Sequence, residues 1–139
     1  MTYIVFYFSI PSLYCVYITN LYPFKMKKIK HILCPVDFSP VSESTVVAAG
    51  SMAQKLDAKI TLIHVVSIIP ASYGALYGID FQAIDTVELI NSSTKALEEV
   101  KAKCIPSGVD CQIVSVTGNV SSEVISEVKK SEVDLIVMA

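Results

Sequence analysis

The fold is decided by residues 28–67, which read KIKHILCPVDFSPVSESTVVAAGSMAQKLDAKITLIHVVS. Two short apolar runs rich in Ile, Leu and Val, within Lys28–Asp37 and Lys59–Ser67, predict buried parallel strands. Between them, Ser39 is a good helix N-cap, and Pro40 suits the first helical position because its missing N–H costs nothing there. A helix is therefore predicted between the two strands, and such a strand–helix–strand unit requires a right-handed crossover.

The remainder of the chain repeats this alternation of helices and strands. In order, the pattern predicts a loop at Ile69–Gly78, a helix at Phe81–Lys103, a strand at Val109–Thr117, a helix at Ser121–Lys130 and a strand at Val133–Ala139. Val87 in the first of these helices and Ile125 in the second are predicted to face the core. The fold class is therefore α/β, with an open parallel sheet and helices on both of its faces.

Charge and composition exclude several classes of function. The chain has 11 Lys+Arg, 13 Asp+Glu and a net charge of −2, which argues against a nucleic-acid binder with a basic surface. All the basic residues are Lys, so a bound phosphate would need backbone N–H groups, hydroxyls or Lys. The 2 His cannot form a His-rich metal site, and no metal site is predicted. The 4 Cys have no CxxC spacing and are typical of reduced thiols in a cytoplasmic protein.

The N-terminal residues differ sharply from the rest. Residues 2–24 contain no charged side chain, and a Lys-rich cluster follows at 25–30. We therefore divide the chain into an apolar extension, 1–25, and a domain, 26–139. For the extension, one interpretation is upstream sequence included by a wrong start, with Met26 the true start. A membrane anchor is a second, since the length suffices for a span, and a secretory signal is a third. A membrane partner follows only from the second.

From residue 28 onward the sequence resembles the universal stress protein family. The resemblance lies in Pro35-Val36-Asp37 at the end of the first strand and the Ser-led helix that follows. It continues with Leu62-Ile63-His64-Val65 in the second strand, Val116–Val120 after the third, and Ser131–Ala139 for the fourth. It implies a Rossmann-like, adenine nucleotide alpha hydrolase-like sheet with strand order 3-2-1-4-5. We expect this sequence to be a fragment of order 3-2-1-4, truncated after the fourth strand, with the fifth strand missing.

The resemblance also implies adenine-nucleotide binding in one of the family's two branches, with ATP or AMP as the cofactor. Ligands of such sheets bind outside the carboxyl ends of the strands, where strand order reverses. His64 is interpreted as a structural strand residue. The expected nucleotide-binding residues are Pro35, Val36, Asp37, Val65, Gly118, Met138 and Ala139.

The leading functional interpretation is a cytoplasmic stress-response or signalling module, homodimeric at full length, and not an enzyme. No catalytic residue is predicted, because no nucleophile–base pair is visible. The glycine-rich phosphate loop of the family follows its fourth strand, so nucleotide binding is expected to be impaired in this fragment. The alternative is a member that binds no nucleotide and acts as a dimerising interaction domain. A catalytic relative such as an ATP-pyrophosphatase is disfavoured, because Asp37-Phe38-Ser39-Pro40 lacks the motifs that such enzymes carry after the first strand.

Overall fold

The computed structural model describes residues 4–7, 15–16, 28–67 and 86–139. Within these ranges the elements are β1 (Ile4–Tyr7), β2 (Cys15–Val16), β3 (His31–Pro35), α1 (Pro40–Leu56), β4 (Lys59–Val66), α2 (Thr86–Cys104), β5 (Cys111–Thr117), α3 (Val120–Lys130) and β6 (Leu135–Met138). Each helix and strand predicted from residue 28 onward has its counterpart among them. The predicted loop at Ile69–Gly78, and residues 81–85 of the following helix, lie outside the described residues.

The strands form one sheet in the order β2-β1-β6-β3-β4-β5. β3 pairs in parallel with β4 and with β6, and β4 pairs in parallel with β5. The segment β5-β4-β3-β6 has the predicted order 3-2-1-4, which confirms the predicted topology. The chain moves outward from β3 to β5 and then returns to the other side of β3, so the strand order reverses between β3 and β6.

Helices cover both faces of the sheet, as predicted. On one face, α1 and α2 bury apolar side chains against the even positions of β3 and β4; these include Val46, Ala49, Ala53, Leu97 and Val100 against Ile32, Ile60 and Leu62. On the other face, Val128 of α3 packs with Leu33 and Ile63. Strands that are covered on both faces read as continuous apolar runs, which is the pattern that revealed them in the sequence.

Two predicted core positions are wrong. Val87 is 63% exposed, because it lies in the first turn of α2, whose buried residues begin at Ser93. Ile125 is 54% exposed. Val124 and Val128, four residues apart, lie on the face of α3 that covers the sheet. Ile125 follows Val124 by one residue, which rotates its side chain by ~100° around the helix axis and points it away from the sheet.

A buried histidine joins three elements near the amino ends of the strands. His31 Nδ1 is 2.8 Å from the Ser131 carbonyl oxygen, and Nε2 is 2.8 Å from Thr61 Oγ1. A carbonyl oxygen only accepts hydrogen bonds, so Nδ1 carries the proton and the neutral Nε2 accepts from the Thr61 hydroxyl. The Asp134 carboxylate accepts the backbone N–H groups of Lys30 and His31 at 2.9 and 3.2 Å. These bonds fasten the start of β3 to β4 and to the turn before β6.

The sheet continues beyond β6. Ile4–Tyr7 of β1 pairs in parallel with Leu135–Met138 of β6, and β2 pairs antiparallel with β1. β1 therefore lies beside β6 at the position where the family resemblance implies a fifth strand. Of the helices in the described ranges, none is long and apolar enough to cross a membrane. Most of residues 1–25 lie outside those ranges, and the three interpretations of this extension remain predictions.

Candidate functional site

The seven predicted ligand-binding residues lie at one edge of the sheet. Because β3, β4, β5 and β6 are parallel, their carboxyl ends meet at that edge. The residues are distributed as Pro35, Val36 and Asp37 at the end of β3, Val65 in β4, Gly118 after β5, and Met138 and Ala139 at the end of β6. Neighbouring strands are ~4.8 Å apart, so the β3 and β6 residues form one group, and Gly118 lies about two strand spacings from the end of β3.

The strand order reverses between β3 and β6. These strands pair at Ile32 with Leu135 and at Leu33 with Ile136. No further residue pair is formed between the two strands, although each continues toward its carboxyl end. A crevice outside the carboxyl ends of two strands at such a reversal is where open parallel sheets bind ligands.

Asp37 is an ionised carboxylate fixed beside this crevice. Its Oδ1 accepts the Ser39 backbone N–H at 3.0 Å, and its own backbone N–H donates to Ser42 Oγ at 3.2 Å. The Ser39 hydrogen bond is the main reason that the pKa of Asp37 lies below its ordinary value. Asp37 is exposed, and a carboxylate that accepts one hydrogen bond has capacity for several more.

The start of α1 positions this carboxylate. Ser39 has extended backbone geometry, and its side chain accepts the Ser42 backbone N–H at 3.2 Å, which confirms the predicted N-cap. Pro40 occupies the first turn of the helix, also as predicted. The cap and Asp37 use the same two residues, Ser39 and Ser42, in separate hydrogen bonds, so the helix start and the orientation of the carboxylate depend on each other.

An aromatic pair behind Asp37 was not foreseen in the sequence. Phe38 adopts a φ of 62°, in the left-handed region, and its ring centroid lies 4.4 Å from that of His64. His64 Nδ1–H donates to the Val36 carbonyl oxygen at 2.7 Å, a structural role that agrees with the sequence interpretation. The strand register indicates the hydrogen bond between His64 and Val36. Pro35 pairs with Ile63, so the residues that follow them, Val36 and His64, lie next to each other.

Val65 and Gly118 have strong structural roles. Val65 is 9% exposed and packs with Val128 in the core beneath α3. The Gly118 N–H donates to the Val66 carbonyl oxygen at 3.1 Å. Gly118 has a φ of 150°, and a Cβ there would lie 2.8 Å from Glu123 Oε1. The glycine is thus required by the turn into α3, whether or not a ligand approaches it.

Two grooves flank the described part of the sheet. One of about 280 Å³ adjoins the candidate site, between the ends of β3 and helices α1 and α2; it is lined by Val36, Phe38, Glu43, Ala96, Glu99, Val100 and Lys103. The other, of about 350 Å³, lies at the opposite edge and is lined by residues that include Lys30, Asp57, Lys59 and Asp110. The larger groove contains none of the predicted site residues. We place the candidate site at the carboxyl edge, because strand direction selects that edge for ligands.

The chemistry available at the carboxyl edge is that of binding. Asp37 supplies a fixed negative charge and acceptor oxygens, and the strand ends supply apolar surface and backbone groups. Such an arrangement suits a ligand that has hydroxyl or amine donors on a flat or apolar frame. Within the described residues, no three His, Cys, Asp or Glu side chains form a group that could hold a metal ion.

Comparison with known proteins decides the family. The family model described as "Universal stress protein family" matches residues 28–139. The chain belongs to the universal stress protein family. Among its relatives, Universal stress protein A of Photorhabdus laumondii is 35% identical over 111 residues, which are 78% of this chain and 73% of that protein.

Solved structures show the same fold as this universal stress protein family member. The structure of hypothetical protein MJ0577 matches with a TM-score of 0.64 and 20% identity, covering 81% of this chain and 75% of that one. A universal stress protein in complex with cAMP matches with a TM-score of 0.59 and 16% identity, covering 80% and 76%. The predicted fold class is therefore confirmed by geometry and by comparison.

Proposed function

We propose that this chain binds an adenine nucleotide at the carboxyl edge of the sheet, around the crevice between β3 and β6. The observation that carries the proposal is Asp37, an ionised and exposed carboxylate held by Ser39 at the point where strand order reverses. A carboxylate in this place can accept hydrogen bonds from ribose hydroxyls or from the adenine amine. The solved relative in complex with cAMP supports the same ligand class.

The proposed ligand contacts divide into two kinds. Asp37 binds the nucleoside by hydrogen bonds, while Pro35 forms an apolar wall on the β3 side. Val36, which is 4% exposed, supports this wall from within the core. Met138 and Ala139 form the β6 side of the crevice, where backbone groups face the ligand. These residues contact base and ribose, so ATP, AMP and cAMP should differ little in affinity for the chain of 139 residues.

In biological terms, we propose a cytoplasmic stress-response module that acts by binding and not by catalysis, and that forms a homodimer at full length. The alternative is a universal stress protein that binds no nucleotide and acts as a dimerising interaction domain. Nucleotide titration separates the two proposals directly.

The test is calorimetric titration of the full chain with adenosine, AMP, cAMP and ATP. Asp37→Asn keeps an acceptor for the Ser39 N–H but removes the charge. A hydrogen bond to a charged group contributes about 1.5–3 kcal/mol and one to a neutral group about 0.5–1.5 kcal/mol, so we expect a loss of about 1–1.5 kcal/mol, or about 5- to 13-fold in affinity. The matched control is Asp110→Asn, which removes the same charge from an exposed position at the opposite edge.

Equal affinity in wild type and Asp37→Asn would remove Asp37 from the site. Impaired binding through base and ribose alone should still be measurable at about millimolar ligand. No measurable binding of any of the four ligands at that concentration would favour the alternative. A much tighter complex with ATP than with adenosine would contradict the assignment of contacts to base and ribose.

A further inference from the structure

The peptide unit that joins Val36 to Asp37 is held at both ends by side chains. Its carbonyl oxygen, on Val36, accepts from His64 Nδ1–H at 2.7 Å. Its N–H, on Asp37, donates to Ser42 Oγ at 3.2 Å. One bond comes from β4 and the other from α1, so two separate elements of the fold fix the plane of this single peptide unit.

The plane of this peptide unit decides where the Asp37 carboxylate lies. Because the peptide bond itself is planar, rotating the unit changes ψ of the residue before it and φ of the residue after it. A change in φ of Asp37 would turn its side chain relative to the end of β3. Ser39 holds the other end of this side chain, through the bond from its N–H to Oδ1. The backbone of Asp37 is thus fixed by His64 and Ser42, and its carboxylate by Ser39.

The residues on either side of Asp37 also contact β4. The Val36 N–H donates to the Ile63 carbonyl oxygen at 2.8 Å. Phe38 has a φ of 62°, which is uncommon for residues other than glycine and persists only where surrounding contacts compensate for it. Its ring lies against that of His64, with 4.4 Å between the centroids. His64 therefore contacts the backbone before Asp37 and the side chain after it.

We propose that His64 is a positioning residue for the candidate site, and that its hydrogen bond to Val36 holds the Asp37 carboxylate in the orientation that receives the nucleoside. This gives a role in binding to a residue whose sequence context indicated a structural one. The effect on affinity rests on the proposed function, whereas the effect on the carboxylate does not. Without the bond, some molecules would present Asp37 in another orientation, and the apparent affinity falls with the fraction that remains competent.

Two substitutions at this position separate the hydrogen bond from the ring contact. His64→Asn removes the ring and keeps an N–H donor as many bonds from the backbone as Nδ1. His64→Phe keeps a ring against Phe38 and removes the donor. Neither variant has an imidazole, so a comparison between them is free of charge changes beside Asp37. Urea denaturation establishes that each variant is folded.

The first measurement needs no ligand. The pKa of Asp37 lies below its ordinary value, and the bond from the Ser39 N–H is the largest cause. Carboxyl-carbon NMR titration of the full chain follows this group directly. The pKa of Asp37 should be higher in His64→Phe than in His64→Asn, because the Ser39 bond is then made in only part of the molecules. Equal values in the two variants, or a higher value in His64→Asn, would overturn the proposal.

The second measurement is calorimetric titration with adenosine, which has no phosphate. His64→Phe should lower the affinity by about 2- to 13-fold, the equivalent of one neutral hydrogen bond, whereas His64→Asn should bind within about twofold of wild type. If His64 acts through Asp37, the two substitutions are not additive. Adding His64→Phe to Asp37→Asn should therefore cause little further loss.

The outcomes separate this proposal from the proposed function. An undiminished loss in the Asp37→Asn background would overturn the proposal, since His64 would then act independently of that carboxylate. Equal affinity for wild type and His64→Phe, alongside weaker binding by Asp37→Asn, would overturn it as well. If wild type binds no adenosine, or Asp37→Asn binds it as tightly, the proposed function fails and the effect on affinity fails with it. The carboxyl titration then still decides whether His64 holds Asp37.

Discussion

Mild acid should weaken the fold through His31. The ring is 2% exposed, and its pKa lies below the ordinary value mainly because burial disfavours the charged form. The positive charge of Lys59 acts in the same direction. The Ser131 carbonyl, Asp134 and Glu127 act in the opposite direction and do not outweigh burial. The folded protein therefore holds His31 neutral at pH values where an unfolded chain would protonate it.

The sign and size of the effect follow from linkage. A histidine in the unfolded chain titrates near pH ~6.5. The contribution of neutral His31 to the free energy of unfolding is fully present above that pH. It is lost as the pH falls from about 6.5 through the folded-state pKa, because in this range the unfolded chain binds more protons than the folded protein. One group can change the free energy of unfolding by at most about 1.4 kcal/mol per pH unit.

Two variants isolate the contribution of His31. His31→Gln removes the titrating group, so the difference in pH slope between wild type and variant reports this residue alone. Thr61→Val keeps the side-chain shape but removes the hydroxyl that donates to Nε2, which leaves a buried nitrogen without that partner. This should lower the free energy of unfolding by about 1–3 kcal/mol at neutral pH. The control, Ser44→Ala, alters an exposed hydroxyl and should change it by less than about 0.5 kcal/mol.

The assay is urea denaturation at several values between about pH 7.5 and about pH 5.5, analysed by linear extrapolation. Equal pH slopes for wild type and His31→Gln would refute the argument from buried neutral imidazole. A Thr61→Val protein as stable as wild type would contradict a stabilising buried hydrogen bond between the Thr61 hydroxyl and His31 Nε2.

Three further predictions concern packing, thiol reactivity and backbone strain. Leu97→Ala removes a fully buried side chain and should lower the free energy of unfolding, measured by urea denaturation, by about 2–5 kcal/mol. Leu89 is 39% exposed, so Leu89→Ala should lower it far less. Similar losses in the two variants would contradict the assigned core. Burial raises the pKa of the Cys34 thiol to about 12, so Ellman's reagent should label it only after unfolding, and rapid labelling of the native protein would refute this. Gly118→Ala should lower the free energy of unfolding by about 1–3 kcal/mol, because residues with a side chain rarely adopt its φ of 150°; an unchanged melting temperature would contradict this.

Much of the fold was predictable because its signals are local. The apolar runs that became β3 and β4 identify strands covered on both faces, and Ser39-Pro40 identifies a helix start from chemistry confined to a few residues. The site followed in part from the same signals. Once Asp37 is placed directly after a parallel strand, strand direction puts it at the carboxyl edge with the end of β6.

The errors arose where periodicity alone had to assign a face. Val87 and Ile125 match an apolar helical pattern, but how far a helix overlaps the sheet, and how it is rotated, depends on packing against distant residues. Phe38 is a comparable case. Its left-handed φ and its contact with His64 depend on the register between β3 and β4, which no local pattern specifies.

The sequence by itself therefore determined the alternation of helices and strands, the start of α1 and the identity of the carboxylate after β3, because each rests on neighbouring residues. Tertiary structure decided which contacts join distant segments. His31 bonds residues 30 and 100 positions away in the chain, and β1 pairs with a strand at the other end of the chain. Such contacts depend on loop closure and on the burial of whole faces, and their energies are set only when all the partners are in place.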